Sequence, residues 1–298
     1  MKTVLFVLLG SIVMVYLVAW GRRIVRRFFR PTAPETGLGF VANFFDTLGI
    51  GSYAPTTAAF RVFGWVPDER IPGTLTVGYV LPTVAQAFIF IAIIEVEMRT
   101  LALLIGAAIT GSWLGAGVVC KLPRRKIQIG MGAALLTAAI LFILKNLDEL
   151  RGTPVFPGGL ALGLDGIWLG VAIAGNLVLG ALMTLGIGMY APSLIMISLL
   201  GMNPKAAFPI MMGSCAFLMP LASLRFLKAE AYEPRTVIGL ALGGVPAVLL
   251  AAFLVKSLPL VWVRWLVIVV VLYAAIGLLR AAGRKAPVEP AHPPTAIP

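Results

Sequence analysis

Apolar stretches long enough to cross a membrane recur along the chain at residues 4–20, 38–60, 71–94, 100–120, 127–144, 166–200, 206–224, 236–255 and 257–279. Only Asp46 and Arg264 interrupt them. A bilayer core takes about 20 apolar residues per helix. A transmembrane barrel would instead read as short alternating segments, so the pattern predicts an all-α integral membrane protein, a helical bundle whose backbone bonds close within each segment. Composition agrees: 60% of the 298 residues are hydrophobic and 12% charged, with a mean hydropathy of +0.99. A water-soluble chain of this length has no use for so much apolar surface.

Two of the stretches carry the same interruption, 137 residues apart. Thr47, Leu48, Gly49, Ile50, Gly51, Ser52, Tyr53, Ala54 and Pro55 return as Thr184, Leu185, Gly186, Ile187, Gly188, Met189, Tyr190, Ala191 and Pro192, with eight of nine positions identical. In the same register Gly64 matches Gly201, Pro67 matches Pro204, Pro72 matches Pro209, and Thr56 matches Ser193. An internal duplication follows. It divides the chain into an N-terminal transmembrane helix with a basic turn (1–30), a first repeat (37–144), a linker (145–165), a second repeat (166–280) and a Pro-rich tail (281–298). Each repeat has four segments, one broken and three continuous, so the expected architecture is a bundle of two four-segment repeats plus one extra helix.

Paired glycines followed by proline are poor helix interior. Proline suits the first turn of a new helix, because it lacks an N–H that would go unbonded there. The expected local structure is a half-helix, a turn over 49–54, and a second half-helix beginning near Pro55. The same applies around Gly186, Gly188 and Pro192. Such breaks are tolerated at membrane depth only inside protein or beside a watery cavity. If each broken segment turns back at mid-membrane the repeats are inverted; if it crosses, they are parallel. Crossing puts 14 of the 24 Lys and Arg inside and 10 outside, whereas turning back puts 17 inside and 7 outside. The bias of basic loops toward the cytoplasm therefore favours inverted repeats with re-entrant segments.

The formal charge of +12 does not indicate nucleic acid. Arg22, Arg23, Arg26, Arg27 and Arg30 lie between apolar spans, as do Lys121, Arg124, Arg125 and Lys126, where retained basic loops and lipid headgroup contacts belong. The arginine cluster also resists translocation, so residues 4–20 read as a retained helix with its N-terminus outside rather than a cleaved signal. Cys120 and Cys215 show no metal-ligand spacing, and His292, the single histidine, stands in the tail. No catalytic triad, metal site or cofactor is expected, and the chain is not read as an enzyme.

What the breaks offer is a site for a small anion. A helix N-terminus carries free N–H groups and about half a positive charge, and two brought together can hold an anion without a basic side chain. The candidate binding residues within the strings are Thr47, Gly49, Gly51, Ser52, Tyr53, Ala54 and Pro55, and Thr184, Gly186, Gly188, Met189, Tyr190, Ala191 and Pro192, with Thr56, Thr57 and Ser193 as hydroxyl donors beside Tyr53 and Tyr190. Asn43, Gln86 and Asn176 are further polar groups at membrane depth, though amides there often only join helices. Asp46, the one acid well inside an apolar span, is the candidate for coupling to a proton or Na+; its counterpart in the second repeat is Met183.

The duplicated TLGIGxYAP break, the basic KLPRRK turn at 121–126 and the eight-segment duplicated body resemble the TauE/SafE sulfite exporter family, part of the toluene-sulfonate uptake permease group. The resemblance runs from Gly37 to Leu279. It implies a secondary transporter of sulfite or an organosulfonate such as sulfoacetate in the bacterial cytoplasmic membrane. The extra N-terminal helix departs from that plan. A gated anion channel, a membrane-embedded enzyme and an anchoring subunit are the alternatives, and assembly into a homo-oligomer stays open. Rocking of one repeat against the other would supply alternating access.

Overall fold

A computed structural model describes residues 2–24, 30–49, 51–67, 70–118, 125, 129, 132–133, 136, 139–140, 143–144, 147, 159–183, 188–257 and 260–283. Its regular elements are helices: α1 Lys2–Ile24, α2 Ala33–Thr47, α3 Tyr53–Phe63, α4 Ile71–Gly78, α5 Val80–Ile93, α6 Met98–Val118, α7 Gly166–Met183, α8 Tyr190–Leu199, α9 Ala207–Ala229, α10 Pro234–Ser257 and α11 Leu260–Gly283. Five apolar stretches are long enough to span a bilayer: Lys2–Arg22, Ile71–Ile93, Gly166–Met183, Pro204–Ala229 and Pro234–Leu254. The chain is thus an all-α, multi-pass integral membrane protein. The predicted span at 127–144, the basic cluster at 121–126, Thr184, Gly186 and the Pro-rich tail lie largely or wholly outside the described residues.

Contacts sort the helix ends into two groups. At one end the Glu35 carboxylate accepts from the Thr32 N–H (2.8 Å), from Arg235 Nε (3.0 Å) and from the Thr236 hydroxyl (2.8 Å), joining the starts of α2 and α10. Thr74 Oγ1 accepts the Glu233 N–H at 2.9 Å, which brings the start of α4 to the same place. At the opposite end the Glu97 N–H donates to the Leu162 carbonyl (2.8 Å), Leu164 N–H to Thr100 Oγ1 (3.0 Å) and Asn203 N–H to the Ala161 carbonyl (2.8 Å). The starts of α6, α7 and α9 gather there. The last residues of the expected linker, 159–165, are therefore folded onto the bundle.

α2, α3 and α8 are 15, 11 and 10 residues long, so at 1.5 Å per residue none crosses a hydrocarbon core of about 30 Å. α2 starts at the Glu35 end. Thr56 near the start of α3 sits level with Tyr79, and α3 then leads back toward Arg70 at that same end. The first broken segment therefore enters and leaves by one end. The second starts with α7 at the Glu97 end, and its exit carries Met202 into a bridge with Ala161 at that end.

The stretch 71–94, expected as continuous, is interrupted at Tyr79. Pro82 has no N–H to return to the Gly78 carbonyl, and its ring crowds that turn. Neighbouring helices satisfy carbonyls beside the kink: Tyr16 Oη donates to Val77 O at 2.8 Å and Ser223 Oγ to Thr76 O at 3.2 Å. The extra helix α1 thus has a structural task, bracing the kink. The turn of the first break is also shorter than expected, because α3 begins at Tyr53.

The two most extensive helix pairings are α2 with α10 and α6 with α7. Glycine makes both possible. A Cβ on Gly243 would run into the Thr36 carbonyl oxygen, and one on Gly180 into that of Ala108. These are backbone obstacles, so relief requires moving a helix. Gly243→Ala and Gly180→Ala are each expected to lower the midpoint of thermal unfolding in detergent, by the equivalent of about 1–3 kcal/mol. Gly170→Ala, which meets nothing within 4 Å, should leave it unchanged or raise it. Equal midpoints for all three would refute the close packing.

Candidate functional site

α2 stops because Gly49 and Gly51 adopt φ of +94° and +88°, a left-handed geometry that costs an L residue about 1–2 kcal/mol. Gly49 N–H closes the turn on the Asp46 carbonyl at 2.8 Å. The Asp46 carboxylate then reaches across and accepts the Ser52 N–H through Oδ1 at 2.6 Å. Ser52 is the residue that opens α3, so the carboxylate sits at the positive end of the new half-helix. Pro55 takes the third helical position, where no intrahelical donor is needed.

The end of α2 and the start of α8 meet at Gln86, in the second half of the 71–93 crossing. Its Nε2 donates to Asp46 Oδ2 at 3.0 Å and to Thr47 Oγ1 at 2.9 Å. Its Oε1 accepts the Tyr190 hydroxyl at 2.8 Å. One fully buried carboxamide therefore ties the end of α2 to the start of α8. Thr47 passes its own proton to the Asn43 carbonyl at 2.7 Å. On the α3 side, Tyr53 stacks on Tyr79 with ring centroids 6.1 Å apart, and the Thr56 and Tyr79 hydroxyls share a hydrogen bond. Asp46, Asn43, Thr47, Thr56, Gln86 and Ser193 are each at most 4% exposed. Gly49 lies against the second break, since a Cβ there would meet Leu194 Cδ2 at 3.4 Å and Met211 Cε at 3.6 Å.

Beside this packed junction there is space. A Cβ on Gly51 or on Gly188 would meet nothing within 4 Å, and Gly188 is exposed. Three fully buried polar atoms nearby or along the same helices have no partner: Asn43 Oδ1, Asn176 Oδ1 and Ser193 Oγ. Ser193 lacks the bond that its counterpart Thr56 makes, because the residue 137 positions after Tyr79 is Ala216.

The sequence-predicted residues divide accordingly. Asn43, Asp46, Thr47, Gly49, Ser52, Tyr53, Thr56, Gln86 and Tyr190 are drawn into one cluster, with Gly51, Gly188, Met189 and Ser193 at its edge. Pro55, Ala191 and Pro192 set the first turns of α3 and α8, Ala54 belongs to the first turn of α3, and Thr57 is half-buried there without joining these bonds. Asn176 stands apart: its Nδ2 donates to the Leu104 carbonyl at 2.7 Å and to Ser214 Oγ at 3.1 Å, joining α7 to α6 and α9. Sequence reasoning missed Tyr79. The signal was available, a tyrosine at midspan between Gly78 and Pro82.

Gln86→Leu removes the donor to Asp46 Oδ2, the donor to Thr47 Oγ1 and the acceptor of Tyr190. Each buried group left unpaired costs about 1–3 kcal/mol, so this variant should unfold at a clearly lower temperature in detergent than Tyr190→Phe, which strands one acceptor. An unaltered midpoint for Gln86→Leu would mean that the bridge does not hold the breaks together.

Comparison with known proteins finds no matching family model, no matching curated protein and no matching solved structure.

Proposed function

We propose that this multi-pass membrane protein is a secondary transporter of a small sulfur-containing anion, sulfite or an organosulfonate such as sulfoacetate, in the bacterial cytoplasmic membrane. The observation that carries the reading is the convergence of two half-helix N-termini on Gln86, buried inside the bundle, with open space at Gly51 and Gly188. Oriented N–H groups in a low-dielectric interior attract negative charge. The bonds described at this cluster come from amide, hydroxyl and backbone N–H groups, which suits a ligand that must be released again. The site serves binding and passage, with no covalent chemistry. The resemblance to the TauE/SafE family supplies the sulfur-containing class of anion.

Inverted repeats fit the same reading. α3 and α8 start 137 residues apart, at Tyr53 and Tyr190, and α6 and α10 start 136 apart, at Met98 and Pro234. At this spacing the α2–α10 and α6–α7 pairings are counterparts of each other. The broken segments enter from opposite ends, as inversion requires. Arg22, Arg30, Arg70, Arg225, Lys228 and Arg235 cluster at the Glu35 end, against Lys2, Arg99 and Lys205 at the other. That difference supports a cytoplasmic Glu35 end.

The test is calorimetry and proteoliposome uptake with sulfite, sulfate, thiosulfate, taurine and sulfoacetate. At least one sulfur oxyanion should bind and be taken up. Gly188→Leu should abolish binding while the protein stays folded, because its side chain would fill the open space without backbone strain. Gly51→Leu should do the same, with added strain from its left-handed φ. Undiminished binding by both variants sinks the site assignment, and no binding or uptake of any of the five compounds sinks the carrier.

A further inference from the structure

The half-helix starts are not equivalent. Asp46 already places a carboxylate at the α3 end, bonded to the Ser52 N–H. At the α8 end the corresponding residue is Met183, and the cap residue Met189 offers no side-chain bond. There, Ser193 is fully buried with its hydroxyl unpartnered. Side chains on a helix lean toward its N-terminus, so this hydroxyl is directed at the turn that Gly188 leaves open. Tyr190, one turn earlier on the same helix, adds a second hydroxyl, now donated to Gln86.

We infer that within this site the anion is held on the α8 side, on Ser193, and that a proton binds on Asp46 across Gln86, so that the two load together. This rests on the carrier reading above and specifies its coupling. The link is the direction of one amide. With Asp46 ionised, Gln86 Nε2 faces two acceptor oxygens, and Oε1 must take the Tyr190 proton. When a proton from water adds to Asp46 Oδ2, an O–H donor confronts the Nε2 donor. Turning the amide over resolves the conflict: Oε1 accepts from Asp46 and from the Thr47 hydroxyl, which rotates off the Asn43 carbonyl, and Nε2 faces the Tyr190 oxygen. The Tyr190 O–H is then free to donate to an anion beside Ser193. The proton returns to water when the anion leaves, and no bond of the anion is altered.

The groups facing Asp46 do not replace this role. They are Tyr53 on α3, Tyr79 at the kink, Tyr190 on α8 and Cys215 on α9, phenols and a thiol that are neutral near neutral pH. The other described acid of α2, Glu35, is eleven residues earlier and paired with Arg235 at 3.0 Å. Two unit charges about 10 Å apart at an effective dielectric near 20 alter affinity on the order of tenfold. The sign follows: anion affinity is highest with Asp46 protonated and falls as pH rises through its titration.

The experiment is calorimetry of methanesulfonate, an anion whose charge is constant between roughly pH 5 and pH 8, on the purified full chain. The wild-type protein should bind on the order of tenfold more tightly at the low end. It should also take up a proton on binding, read from the heat difference between two buffers of unlike ionisation enthalpy. Asp46→Asn should bind with the low-pH affinity throughout, with no proton uptake, and Tyr190→Phe should lose most of the low-pH gain. Binding by the wild-type protein without pH dependence or proton uptake overturns the coupling and leaves the carrier standing, and an Asp46→Asn protein as pH-sensitive as the parent does the same. Absence of binding at every pH overturns both.

Discussion

Backbone groups that leave the helical ladder inside a membrane must find partners within the protein, because no water is there to receive them. That constraint organises the centre of this molecule. The turn after α2 gives up ladder bonds, and the Asp46 carboxylate takes over one of the freed donors. A buried carboxylate in turn needs donors of its own, and Gln86 supplies one while its other end holds Tyr190. The kink at Tyr79 places the stacked Tyr53 and the Thr56 hydroxyl against the same region. The carbonyls exposed by that kink are met from α1 and α9. Both of these departures from regular helix are answered by a side chain from another helix, and the answers converge.

Near-identity of two strings does not make two identical places. Tyr53 and Tyr190 occupy matching positions, yet one stacks on Tyr79 while the other bonds Gln86. The difference lies outside the strings. Asp46, Tyr79 and Gln86 stand where the same spacing brings Met183, Ala216 and Ser223. Polarity is concentrated on one side, and the orphaned hydroxyl of Ser193 is the mark it leaves on the other.

Much of this was legible from residue order. Long apolar runs fix helical spans by length alone, and two glycines before a proline announce a break because neither residue type sustains a helix. Asp46 and Gln86 stand out as polar groups in runs that should hold none. Other features needed three dimensions. Asn43, Gln86 and Asn176 look alike in the sequence, but only coordinates separate the amide that bridges the breaks from the one that joins α7 to α6 and α9. Tyr79 was missed because a tyrosine in an apolar run reads as ordinary core. Pro82 flagged the kink only weakly, since Pro220 and Pro246 sit inside helices that continue past them. The family resemblance rests on the quoted motifs, without a match among known proteins to extend it.

The glycine contacts have a mechanical corollary. α2 is locked to α10 and α6 to α7 by backbones too close to admit a methyl group, and each pair takes one helix from either side of the 145–165 segment. A helix gripped in this way cannot swing with its sequence neighbours and leave its partner behind. Whatever rigid blocks shift within this bundle must therefore be mosaics of the two halves, with the fault line running through the chain's own order rather than between its halves.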